Sequence, residues 1–257
     1  MTKYVRFRVG SRVAYGIQDD TGIAELEGGL FDHRPTGIRH KLESVTLLCP
    51  CTPGKILAVG RNFKTHFHGR PHPKRPELFY KPISCLQDPD GPIVYPHDAA
   101  DLHHEAELVF VIGKRLRHAS KEEARDAIWG LTCGNDVSER IWQNGKDDVP
   151  KDVQWWRAKG SDTFGPLGPS IVTGLDPDNL RVRCRLNGEV VQDQSTADFI
   201  FDSATMVSFA SQYVTIEPGD IIFTGTPGDT RAMRPGDTVE VDIEGIGVLR
   251  NPVIAET

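Results

Sequence analysis

Cysteine is scarce in this chain: Cys49, Cys51, Cys85, Cys133 and Cys184 are the five in 257 residues. An odd, scattered set excludes a disulfide framework and points to a reducing compartment with buried or idle thiols. Cys49-Pro50-Cys51 is too tightly spaced for a usual zinc knuckle, and no second cysteine pair completes one. No apolar run approaches the roughly 20 residues of a membrane-spanning helix. Positive charge is not in excess, since 30 Lys+Arg stand against 36 Asp+Glu, for a net charge of −6. That balance excludes a nucleic-acid or anionic-membrane partner held by bulk charge, and leaves room for a local basic pocket that takes a small acid. The opening Met1-Thr2-Lys3-Tyr4-Val5-Arg6-Phe7-Arg8 is charged and alternating, unlike a secretory signal, so the expected location is cytoplasmic.

What the chain does have is β-signal. Val5 to Val9 alternates apolar and basic, Gly10-Ser11 turns, and Val13 to Ile17 follows, which reads as a hairpin. Ile23–Leu26 and Ser44–Leu48 are further short runs. Cys51-Thr52-Pro53-Gly54 punctuates the chain, so a boundary falls near residue 52. Residues 1–52 form a small β-rich segment, too short to fold alone, that packs on a main domain of residues 53–257. Lys55–Gly60 and Glu107–Gly113 read as buried strands, and Phe63–Glu77, polar and without periodicity, as a long lid-like loop. Helices are expected over Lys121–Trp129, with Ser120 as N-cap, and over Asp202–Tyr213. Strands return at Leu180–Leu186, Val190–Asp193, Asp220–Phe223 and Asp237–Ile243, with Asn187-Gly188 as a type I′ hairpin turn. Many short strands with few helices predict a β-rich α+β fold, a sandwich-like roll with covering helices.

The stretch with most chemistry is Leu102-His103-His104-Glu105-Ala106-Glu107-Leu108. Residues two apart on a strand share a face, so Glu105 and Glu107 point the same way. Two carboxylates side by side at the mouth of an apolar strand repel, and if partly buried they need a cation between them. All-oxygen ligation suits Mg²⁺, Mn²⁺ or Ca²⁺ better than zinc. Asp136, ending the run Leu131-Thr132-Cys133-Gly134-Asn135, is either a third ligand or the cap of the next turn; spacing alone does not decide.

Taken with Gly60-Arg61-Asn62, Phe79-Tyr80-Lys81-Pro82, Gly134-Asn135-Asp136-Val137-Ser138, Lys159-Gly160-Ser161-Asp162, Gly165-Pro166-Leu167-Gly168-Pro169 and Phe223-Thr224-Gly225-Thr226-Pro227, this stretch resembles the fumarylacetoacetate hydrolase family from about Lys55 to Pro252. The likeness is to its branch of acylpyruvate hydrolases and 2-hydroxyhepta-2,4-diene-1,7-dioate isomerases. It implies a mixed β-sandwich roll, a homodimer, and one divalent cation, Mg²⁺ first with Mn²⁺ or Ca²⁺ as alternatives, on Glu105, Glu107 and Asp136. It implies a small 2-oxo or β-diketo acid as substrate. Lys159 matches the family's active-site lysine, Gln143 a glutamine of the substrate or metal shell, and Thr226 a threonine whose backbone and hydroxyl hold the substrate carboxylate. Arg61 and Lys81 are further candidates for that carboxylate, or structural partners of an acidic neighbour.

A 2-oxo acid that chelates such a metal forms an enolate readily, and C–C hydrolysis, decarboxylation and keto–enol exchange share that species. Hydrolysis also needs a base for water. His66 holds the family position for it, but the orienting Glu three residues later is here Gly69, so His68, His72 or Glu77 are alternatives. The first expectation is therefore a metal-dependent hydrolase of acylpyruvate-type acids. The second is an isomerase, tautomerase or decarboxylase of 2-oxo diacids such as hydroxyheptadienedioate or oxaloacetate, and the third a binding protein without turnover.

Overall fold

The structure, a computed structural model, describes residues 1–67 and 71–257, with residues 66 and 67 described by their backbone alone. Its architecture is a β-rich α+β roll. A twelve-stranded sheet runs in the order His33–His40, Gly22–Gly28, Arg12–Asp19, Thr2–Val9, Gly165–Thr173, Ile128–Asn135, Ala106–Ile112, Ile221–Phe223, Ile56–Gly60, Glu77–Lys81, with two short strands attached beside this path. A five-stranded sheet packs over it: Glu189–Ser195, Arg181–Leu186, Thr238–Ile243, Gly247–Ala255, Ile93–Tyr95. The N-terminal segment is not a separate body, because Thr2–Val9 pairs antiparallel with Gly165–Thr173.

The central strand Ala106–Ile112 explains its own composition. All seven residues are buried. Leu108, Phe110 and Ile112 face the five-stranded sheet and meet Val182, Val241 and Leu249 in the main core. Val109 and Val111 face the other way, into a second core with Ile56, Ile171 and Phe223. A strand covered on both faces reads as a continuous apolar run rather than an alternating one. Each such side chain contributes on the order of 2 kcal/mol by leaving water. Glu107 is the one charged residue in the strand, and it sits in a place that chemistry must justify.

The hairpin signals hold. Val9 pairs with Arg12 across the first turn. Asn187 and Gly188 both take positive φ, 53° and 83°, as the type I′ turn requires. Ser120 caps a helix over Lys121–Ala127 in a full capping box with Glu123. That helix stops two residues earlier than the sequence suggests, since Ile128 and Trp129 open the strand Ile128–Asn135. Asp202 caps Ser203–Tyr213. The expected lid is more ordered at its N-terminal end than its polarity implies: Lys64–Phe67 is a 3₁₀ turn, and Phe63 is buried edge-on against Phe199 at 4.8 Å. Several strands escape the sequence reading, among them His33–His40, Glu77–Lys81, Ile93–Tyr95, Gly165–Thr173 and Gly247–Ala255. All five cysteines are buried and free. Among the described residues, no helix is long and apolar enough to cross a membrane.

Candidate metal centre

Strand pairing brings the acidic trio together. Ala106 pairs with Asn135 and Glu107 with Gly134, antiparallel. Extending that ladder by one step sets Asp136 opposite Glu105, and the Asp136 N–H donates to the Glu105 carbonyl at 2.9 Å. One carboxylate oxygen from each of Glu105, Glu107 and Asp136 then lies within 4.8 Å of the other two. All three residues are buried. The Asn135 side chain locks the entry by accepting from the Glu105 N–H at 2.8 Å.

Cations and amides surround the trio. The Lys159 ammonium donates to Glu105 Oε2 at 2.8 Å, to Asp136 Oδ2 at 2.7 Å and to Ser138 Oγ at 2.5 Å. Lys81 donates to Asp136 Oδ1 at 2.7 Å, to the Phe164 carbonyl at 3.2 Å and to the Lys159 carbonyl. Arg140 Nη2 lies 2.6 Å from Glu105 Oε1. The Gly225 N–H donates to Glu107 Oε2 at 2.7 Å. Burial pushes the Glu107 carboxyl well above its ordinary range, and the charges of Asp136 and Glu105 push it further. Burial works to lower Lys81, but Asp136 beside it outweighs that and its ammonium is strengthened.

The donor set fits a hard divalent cation. Three clustered carboxylate oxygens offer no soft ligand, and the mutual repulsion at Glu107 is the strain a cation relieves. The buried trio is thus a candidate divalent-metal site.

Other residues named from the sequence fall in different places. Gln143, on the short helix Arg140–Asn144, accepts from Arg140 Nη1 at 2.7 Å and so stands one step from the trio. Thr226 is buried in the turn after Ile221–Phe223, its hydroxyl donating to the Ala106 carbonyl at 3.0 Å. Lys81 spends all three ammonium protons on protein oxygens, which makes it a structural partner of Asp136. Arg61 turns away from the trio at the end of Ile56–Gly60, with a positive φ of 55°, and pairs with Glu77 on the surface. The side chain of His66, and His68 and Gly69 altogether, lie outside the described residues. Arg140, Ser138 and Gln192 were missed. Arg140 and Ser138 sit within four residues of Asp136 in the motif stretch, which was the available signal; Gln192 carried none.

Comparison with known proteins follows the same lines. The family model for the fumarylacetoacetate (FAA) hydrolase C-terminal region matches residues 55–254, and an N-terminal model described as Rv2993c-like matches residues 2–50. The chain belongs to the fumarylacetoacetate hydrolase family. It superposes on a 2-hydroxyhepta-2,4-diene-1,7-dioate isomerase from Mycobacterium marinum with a TM-score of 0.90 and 37% identity, covering 100% of this chain and 99% of that one. It is 39% identical over 224 residues to a mitochondrial oxaloacetate tautomerase of Xenopus laevis, 82% of this chain and 69% of the relative. A maleylpyruvate hydrolase from Sphingobium, solved with manganese(II) and pyruvate, matches with a TM-score of 0.78 and 27% identity, over 99% of this chain and 100% of that one. The two more similar of these are named for isomerisation and tautomerisation, the less similar for hydrolysis. The family member described here carries a buried candidate metal site, and the names of its more similar relatives favour isomerisation or tautomerisation over hydrolysis.

Proposed function

We propose that the chain is a divalent-metal-dependent keto–enol tautomerase of a small 2-oxo dicarboxylic acid of the oxaloacetate type. The observation that carries this reading is Lys159: a buried ammonium held by two of the three carboxylates and by Ser138. Tautomerisation moves one proton from C3 to the carbonyl oxygen and needs no activated water. A group beside the substrate must hold a proton and return it, and we assign that role to Lys159 Nζ: its three protons lie on Glu105, Asp136 and Ser138, and a cation shared by the two carboxylates would loosen their hold and leave a proton for the substrate. Glu105, Glu107 and Asp136 would hold the metal, Mg²⁺ in the first instance. When bound, the ion supplies Lewis acidity toward a 2-oxo acid and favours its enol form.

Charge supports a dianionic substrate. The trio carries up to three negative charges, matched by Lys81, Lys159 and Arg140. A divalent ion added to that balance leaves about two positive charges, which suits two carboxylates. Arg140, partly exposed and steadied by Gln143 and by Thr230 Oγ1 at 2.9 Å, is the cation placed to meet the second carboxylate. The likeness to oxaloacetate tautomerase supports the same choice.

The test is the decay of the oxaloacetate enol band on adding Mg²⁺- or Mn²⁺-loaded protein, read beside CO₂ and pyruvate release. Acceleration abolished by a chelator and by Lys159→Met is expected. A decay rate equal to that of metal alone refutes the assignment. Release of pyruvate from an acylpyruvate selects the second reading, hydrolysis, which the likeness to the manganese-bound maleylpyruvate hydrolase favours. A homodimer in solution is part of this proposal and is read by light scattering.

A further inference from the structure

We infer that Gln192 is a positioning residue that sets the substrate-binding turn through Thr226; the inference rests on the reading of the site given above. Gln192 belongs to the other sheet. It lies on Glu189–Ser195, buried, in register with Cys184, whose sulfur meets His104 Nδ1 at 3.4 Å. The Cys184/Gln192 pair therefore braces the His104–Ala106 segment from the side opposite the metal ligands.

The Gln192 amide is fully used. Its Oε1 accepts from the Ala106 N–H at 3.3 Å, and its Nε2 donates to Thr226 Oγ1 at 2.9 Å and to the Pro227 carbonyl at 2.6 Å. The Thr226 hydroxyl is committed as well. It accepts from Gln192 and donates its one proton to the Ala106 carbonyl. That hydroxyl has no proton left for a substrate carboxylate, contrary to the role the family likeness gives it. What the turn offers a ligand is the Thr226 backbone N–H, and the angle of that N–H is set from three sides. Gly225 takes a φ of +97°, where a Cβ would press on Asn62 and the Val59 carbonyl at 3.1 Å. Its N–H is pinned to Glu107. Gln192 closes the third side by tying Thr226 and Pro227 to Ala106, the residue between two of the trio.

The trio has holds of its own in Lys159, Lys81 and Arg140. Loss of Gln192 therefore separates two properties: metal binding stays and carboxylate binding weakens. Gln192→Met keeps the length and removes the hydrogen bonds. Calorimetry with Mn²⁺ alone, then with oxalate on the Mn²⁺-loaded protein, reads each property. Mn²⁺ affinity is expected to stay within about threefold of wild type and oxalate affinity to fall about tenfold or more, with the kinetic loss in KM rather than kcat. Thr226→Val is expected to lose as much, and the double variant no more than either single one. Unchanged oxalate affinity in Gln192→Met overturns the inference, as does an additive loss in the double variant, which would mean that the hydroxyl touches the ligand directly. If Gln192→Met does not fold, Gln192→Glu, which still accepts from Ala106 and donates nothing to Thr226, replaces it in the same comparison. Wild-type protein that binds Mn²⁺ but neither oxalate nor any 2-oxo acid is a distinct result, and it removes the functional reading and the inference together.

Discussion

Replacing Lys81 by Met tests the site's architecture more directly than replacing a metal ligand. Lys81 lies wholly inside the protein, its ammonium 2.7 Å from an Asp136 oxygen. At an effective dielectric constant of about 20, a unit pair at that distance attracts by roughly 6 kcal/mol, before the cost of taking both charges out of water. Removing one partner of such a pair costs about 3–5 kcal/mol, because the other charge stays buried without compensation. Two carbonyl oxygens, of Phe164 and Lys159, lose their donor in the same step. For a chain of this size that predicts a fall in Tm on the order of 10 °C. The methionine fills the same space, so the loss is electrostatic rather than a cavity. Divalent ions should then stabilise the variant more than the wild type, since the ion takes over the neutralisation of Asp136. Differential scanning calorimetry with a chelator and with saturating Mg²⁺ measures both effects. A variant as stable as wild type in chelator, with a raised KM as its only defect, would refute the argument and return Lys81 to the substrate carboxylate.

Glu107→Gln is expected to weaken Mn²⁺ binding about a hundredfold or more by calorimetry, while the metal-free protein stays folded, because the change removes the charge that burial, Asp136 and Glu105 disfavour. Arg140→Met should lower kcat/KM for a 2-oxo diacid by about 10- to 100-fold more than for a 2-oxo monoacid in the same assay, the value of one charge-assisted hydrogen bond, since both substrates share the loss of the Glu105 pairing and only the diacid loses a carboxylate contact. The N-terminal strands carry a separate pH response. Arg12 and, against the effect of burial, His40 hold the Glu25 carboxyl down at about 2 from 4.5. A depressed folded-state pKa gives stability that is present above pH 4.5 and lost as pH falls through about 2. With Arg12 half exposed, about 1–2 kcal/mol is the reasonable share. Arg12→Ala should flatten that limb in acid titrations followed by circular dichroism, and an unchanged acid midpoint counts against the pairing.

Much of this site was legible because a strand has a period of two. Glu105 and Glu107 had to share a face, and the apolar run after them had to be buried. Asp136 was ambiguous for a physical reason: its role depends on the register between Ala106–Ile112 and Ile128–Asn135, a non-local quantity that neither strand carries alone. The same limit separates Arg61 from Lys81. Both are basic residues at the end of a short strand. Lys81 keeps strand geometry and points inward with Phe79, which lies under the Lys159 ammonium at 5.5 Å. Arg61 has left the strand at positive φ and faces Glu77.

The strands that sequence reading missed are those where tertiary pairing overrides local preference. His33–His40 contains Pro35 and Gly37 and reads as a loop, yet it sits at the sheet's end, where a missing N–H and an unpacked face cost little. Gly165–Thr173 opens with two glycines and two prolines in five residues, and it holds because Thr2–Val9 and Ile128–Asn135 supply ladders on both sides. Gln192 is the sharpest case. On a strand reading Glu-Val-Val-Gln-Asp-Gln-Ser it looks like any solvated polar residue. Its function arises only when the two sheets close and its amide meets Ala106 and Thr226. Side chains that contact the reacting ion announce themselves by type and spacing; those that hold the contacting residues in place are specified by the packing of one sheet on another, and a single sequence has no local signal for that.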